Sequence, residues 1–234
     1  MKPIEKALLL RKSARFRSKE PMQLFINRLR EPERILELVE RQNVSSATRL
    51  EARRQFFVSV CAAFESYWRT FVRVNVDAHR VPASALEHLK RISFTLADIH
   101  NVVGRRLTIG ELVSCSFGFQ GPNAVNTSLS EILQTKVFTE FAKARFAIRE
   151  VPKARPPKKR TLVRDELVGE EVLKSTRDDL ERCFEVRHDT VHNTGALHRL
   201  TERDARTIAN SAWRFNAFLG MHIEKRFSEL WGRR

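Results

Sequence analysis

A chain of 234 residues, 42% of them hydrophobic, is long enough to bury a proper core as one large domain or two small ones. With only 8 Gly and 8 Pro it lacks the turns that a sheet protein of this size needs, so long helices are expected. Its 43 Lys and Arg against 28 Asp and Glu leave a formal charge of +15. That excess points to a polyanionic partner, nucleic acid ahead of an acidic membrane surface. A solvated basic surface that only aids solubility is the plain alternative.

Residues 1–47 make a basic, Arg-rich opening broken at Pro3, Pro21 and Pro32. Pro32-Glu33 suits the first turn of a short helix supported by Ile35, Leu36, Leu38 and Val39. Docking of this extension onto the rest of the chain is expected over an RNA-contacting arm. The run Ala7-Leu8-Leu9-Leu10 is too short for the core of a signal peptide. No later stretch is long enough to cross a bilayer. Cys61, Cys115 and Cys183 lie far apart in sequence, without metal-ligand or redox spacing. They read as buried thiols in a reducing compartment, so the cytoplasm is the expected location, with no membrane partner.

A long helix is predicted over 47–76. Phe56, Val60, Phe64, Tyr67, Phe71 and Val74 recur at helical spacing, beside a second stripe of Phe57, Cys61, Glu65, Trp68 and Val72. Glu65 is the one acid on that apolar row. It suits either an i,i+4 pair with Arg69 or a partner for a buried arginine elsewhere. From 82 to 148 the pattern breaks into short helical pieces at 83–91, 97–100, 109–114, 128–134 and 138–148, with no confident strand and no phosphate-binding glycine loop. Residues 151–164 follow, rich in Pro and carrying six positive side chains with no acid. Such a stretch reads as an extended basic linker, ending by 168, with Lys158, Lys159 and Arg160 as candidate contacts to an RNA backbone.

A helix resumes near Glu170, with Leu173, Leu180, Phe184, Arg187 and Val191 on one face. The last helix starts at Thr201-Glu202-Arg203-Asp204, a capping box with Asp in place of Glu. It runs to about Trp231 and is expected to bury Ile208, Trp213, Phe215, Phe218, Leu219 and Phe227.

Between these two helices lies Arg187-His188-Asp189-Thr190-Val191-His192-Asn193-Thr194-Gly195. Arg187 is a permanent cation whose planar donor fork suits a phosphate. His192 can give or take a proton near neutral pH. Asn193 and Gly195 tolerate the left-handed backbone after a helix's last turn, which places His192 at an exposed helix end.

Arg187, four residues, His192, then Asn193 and a glycine resemble the R-x4–6-H motif of HEPN domains. Phe64-Glu65-Ser66-Tyr67 is similar to the glutamate-bearing first helix of several such families. The resemblance covers about 48–76 and 169–230, which leaves 77–150 as an elaboration and 1–47 as an extension of a 48–234 domain. It implies an all-α helical bundle and a metal-independent RNA endonuclease of toxin–antitoxin or anti-phage type, with no cofactor. Arg187 and His192 would be catalytic, with His188, Asp189, Asn193 and Glu65 in support. The products would be a 2′,3′-cyclic phosphate and a 5′-hydroxyl. Homodimerisation would put two motifs face to face, and an antitoxin or defence partner would restrain the activity. His188 stands where many active members have Asn. The alternatives are an inactive RNA-binding or assembly module, and a metal-dependent phosphohydrolase using His188 and His192 at i,i+4.

Overall fold

The computed structural model describes residues 20–78, 95–149, 164–192 and 199–231. Eight helices and one two-stranded sheet are formed by these residues: α1 (Pro21–Arg41), α2 (Ser46–Asp77), α3 (Leu96–Gly104), α4 (Ile109–Ser116), α5 (Pro122–Leu133), α6 (Val137–Ala142), β1 (Arg145–Arg149), β2 (Arg164–Val168), α7 (Gly169–His192) and α8 (Glu202–Trp231). The architecture is mostly helical, as the scarcity of Gly and Pro implies. The expected piece at 83–91 lies outside the described residues, as do Asn193 and Lys158, Lys159 and Arg160.

α2 is the central element. Ser45 caps it by accepting the Thr48 N–H at 3.1 Å, which meets one of the donors a helix start leaves open. Both of its apolar stripes are used: Phe57, Val60, Cys61, Phe64 and Trp68 are fully buried. Each such side chain contributes on the order of 1.5–3 kcal/mol by leaving water. α1, α4, α7 and α8 all pack against α2. Its C-terminal Asp77 accepts from Thr108 Oγ1 at 2.9 Å and from the Gly110 N–H at 2.8 Å, which fastens the start of α4. There Thr108 and Glu111 complete a capping box.

The opening helix is longer than its prolines suggest. It begins at Pro21, not Pro32, and Pro32 lies inside it. Pro21 takes the first-turn position where no N–H is needed. The helix carries on through Pro32 because Phe25, Leu29 and Leu36 are buried against the core, which outweighs the hydrogen bond the proline removes. Arg53 of α2 grips Glu40 of α1 through Nε (2.6 Å) and Nη2 (2.8 Å) and donates from Nη1 to the Leu200 carbonyl at 2.8 Å. The described part of the extension, from residue 20 onward, is thus docked on the main body.

The chain also holds a sheet that its sequence does not announce. β1 pairs antiparallel with β2, Arg145 opposite Val168 and Arg149 opposite Arg164. The predicted helix at 138–148 therefore stops at Ala142 and becomes a strand, and 164–168 belong to a strand where a linker was expected. Phe146 earns the strand its place by packing edge-on to Phe218 at 5.1 Å and against Phe141 at 5.7 Å. Nearby, Arg226 of α8 holds Glu140 of α6 at 2.6 Å. Hydrogen bonding by Thr135 and Arg226 keeps the Glu140 carboxyl below the usual carboxylate range despite its burial.

The last helix starts as predicted. Asp204 Oδ2 accepts the Thr201 N–H at 2.8 Å, and Thr201 Oγ1 accepts the Asp204 N–H at 3.1 Å. Ile208, Phe215 and Leu219 are fully buried and Phe218 is partly so, but Trp213 is 46% exposed, against expectation. Gly220 marks a close approach: a Cβ there would lie 2.1 Å from Tyr67 Oη, which donates to the Asn216 carbonyl at 2.8 Å. Gly220→Ala is expected to lower the melting temperature by about 3–10 °C in a thermal scan, a small-to-large clash of roughly 1–3 kcal/mol.

Candidate functional site

α7 carries the candidate residues. Its start is fixed by Gly169, whose N–H donates to the Ala144 carbonyl at 2.9 Å. Glu170 and Glu171 in the first turn suit the positive end of the helix dipole, and His192 as the last residue suits the negative end. Val172, Thr176, Leu180, Cys183 and Val186 bury one face against the core. Val191, expected on that face, is 59% exposed, because the core has ended before the last turn.

Arg187 and Glu65 meet across the α2–α7 contact at 3.5 Å. Glu65 also lies 4.0 Å from Arg69, so both expected partners are present around one carboxylate. Arg69 is the buried member. It donates to the Ser114 carbonyl at 3.0 Å and lies over the Phe119 ring at 5.7 Å. Oε1 of Glu65 accepts no hydrogen bond among the described residues, and Arg187 stands at ion-pair distance from it. With its side chain 32% exposed, Arg187 keeps a side open to solvent. Glu65 thus stands between two guanidinium groups, of which Arg187 is the one that reaches solvent.

His192 lies five positions after Arg187, which is about 7.5 Å along a helix and about 140° around it. Arg187 therefore leans toward α2 while His192 stands exposed at the helix end. The His188 and His192 rings lie 4.6 Å apart with planes tilted by 48°. His188 and Asp189 also border an open cavity of about 480 Å³, bounded on the other side by Gln120, Gly121, Pro122 and Asn123 at the start of α5. Phe184, Glu181 and Glu185 complete its α7 wall. Sequence spacing gave no sign of this wall, since residues 120–123 come from another helix.

No family model, no characterised protein and no solved structure compared with this chain matches it.

The site therefore stands on its own geometry. Arg187 pairs with Glu65, the His188 and His192 rings lie beside each other, and His188 and Asp189 line the cavity, as three separate sets of contacts. Asn193 follows His192 directly but lies outside the described residues, and so do Lys158, Lys159 and Arg160. The strands flanking the latter are placed, however. β2 runs into the N-terminus of α7, a 24-residue helix that rises about 35 Å before reaching His192. Among the described residues, no three His, Cys, Asp or Glu side chains converge as a metal-ligand set. No described helix is long and apolar enough to cross a membrane.

Proposed function

We propose that this chain is a metal-independent RNA endonuclease of the HEPN type, with Arg187 and His192 as its catalytic residues. The observation that carries the reading is the exposed end of α7. There a guanidinium held by a neighbouring carboxylate and an exposed imidazole stand five residues apart, on a protein of charge +15. Glu65 positions Arg187 so that its open edge faces an arriving phosphate.

In the proposed reaction, the RNA 2′-oxygen attacks the adjacent phosphorus. His192 takes the 2′-hydroxyl proton as the P–O2′ bond forms. The P–O5′ bond breaks, and the departing 5′ oxygen receives a proton from a second imidazole. Arg187 neutralises charge growing on the non-bridging oxygens. The products are a 2′,3′-cyclic phosphate and a 5′-hydroxyl, and no metal takes part. The second imidazole comes from a second copy of the chain, paired so that the two α7 ends face each other. Val191, 59% exposed one turn beyond Arg187, supplies apolar surface for that contact. A toxin or anti-phage effector restrained by a partner fits such an activity.

A second reading has support from the same ion pair. If Glu65 holds Arg187 for structural reasons alone, the chain is an RNA-binding or assembly module without activity. Purified protein incubated with mixed RNA in excess EDTA separates these readings. Cleavage to cyclic-phosphate ends is expected. RNA bound but left intact sinks the nuclease, and cleavage that appears only on adding a divalent cation returns the choice to metal hydrolysis.

A further inference from the structure

Two of the three cysteines, 122 residues apart in sequence, meet inside the fold. Cys61 Sγ of α2 and Cys183 Sγ of α7 are 3.3 Å apart, and neither residue is exposed at all. The Cys61 thiol lies 3.5 Å from the Cys183 carbonyl and the Cys183 thiol 3.6 Å from the Phe57 carbonyl, so each also has a backbone oxygen within donating distance. One turn further along both helices come Glu65 and Arg187, again 122 residues apart (187 − 65). The two helices therefore run in the same direction here, with the sulfur pair directly beneath the ion pair.

We propose that Cys61 and Cys183 form a redox-modification site, oxidised by a peroxide to a disulfide that clamps α2 to α7 beneath the Glu65–Arg187 pair. This assignment does not depend on the nuclease reading. A bonded pair needs the sulfurs at about 2.05 Å, so closure asks the two sulfur atoms to approach by little more than an ångström. The chemistry balances with one hydrogen peroxide. One sulfur attacks the peroxide O–O bond to give a sulfenic acid and water. The second sulfur then attacks the first, the S–S bond forms and the sulfenic oxygen leaves as a second water. Two electrons pass from the two sulfurs to the peroxide.

Access and protonation set the pace. Burial pushes the Cys183 thiol well above its usual range, against a weaker pull down from the Arg187 charge. It is a neutral thiol at pH 7, so oxidation is slow, waits on small openings between α2 and α7, and speeds up as pH rises. Cys115, on α4, is also buried and serves as an internal control.

The full chain, reduced and freed of reductant, would be exposed to hydrogen peroxide, quenched, unfolded and titrated for thiols. Three thiols are expected before oxidation and one after, with a proteolytic peptide pair joining Cys61 to Cys183 that dithiothreitol separates. A bridge closing so long a loop is expected to raise the melting temperature by about 10 °C. Hydrogen exchange over 57–69 and 180–192 should slow with it. Three surviving thiols, a linkage through Cys115, or sulfinic acids in place of a bridge would each overturn the proposal. Because the mapping uses the native sequence, it does not hinge on a cysteine variant folding.

Discussion

Replacing His192 by alanine is expected to lower RNA cleavage by about 10²–10⁴-fold, the share a positioned proton-transfer group supplies. The fold should survive, because His192 is the exposed last residue of α7 and no core contact depends on it. Circular dichroism and the melting temperature therefore stay at wild-type values while the initial rate falls. Arg187→Ala is expected to fall comparably. It strands no charge, since Glu65 retains Arg69 at 4.0 Å. Arg187→Lys keeps the charge but loses the planar fork, so it should recover only part of the rate. If His192→Ala cuts RNA as fast as the unaltered chain, the role given to this imidazole is wrong.

Gly169→Ala is expected to be the most damaging alanine replacement among the described glycines. A Cβ at this position would lie 1.8 Å from the Phe141 carbonyl oxygen, which is backbone and has no rotamer to yield. The segment after α6 or the first turn of α7 must move, straining the Gly169 N–H bond to Ala144 and the pairing of β1 with β2. A cost of about 3 kcal/mol or more follows, at the upper end of overpacking effects. Chemical denaturation would read it as a lower midpoint with an unchanged slope. An alanine variant as stable as the parent would mean that the α6–α7 junction is looser than its geometry indicates.

The long helices were legible because their signals are repetitive. The two apolar stripes place α2 at 46–77 where the sequence suggested 47–76, and Thr201 with Asp204 opens α8 as read. Shorter and context-driven features were not. β1 and β2 are five residues each, too short for alternation to register, and they exist because Phe146 finds Phe141 and Phe218. Pro32 pointed to a helix start that burial of Phe25, Leu29 and Leu36 overrides. Trp213 fits the periodicity of α8 yet faces outward, since the pattern marks a face without saying how wide the covering neighbours are.

At the candidate site, the odd acid on an apolar row and the arginine five residues before a histidine were both visible. Glu65 could be recognised as needing a cation, but not that it would be shared between Arg69 and Arg187. The α5 wall of the cavity and the meeting of Cys61 with Cys183 depend on which helices become neighbours, and no local pattern encodes that.

The seam between α2 and α7 also acts as a positional lock. Sliding one helix past the other by a single turn would part Arg187 from Glu65 and set its guanidinium against Arg69 or against the Cys61 layer, while Glu65 kept only Arg69 of its own helix. Such an arrangement costs several kcal/mol. A stack of interchangeable apolar side chains would tolerate that slippage; a carboxylate that must meet a guanidinium of the facing helix does not. The same two charges that present a cation to the surroundings thereby tell the bundle which of its possible alignments to adopt.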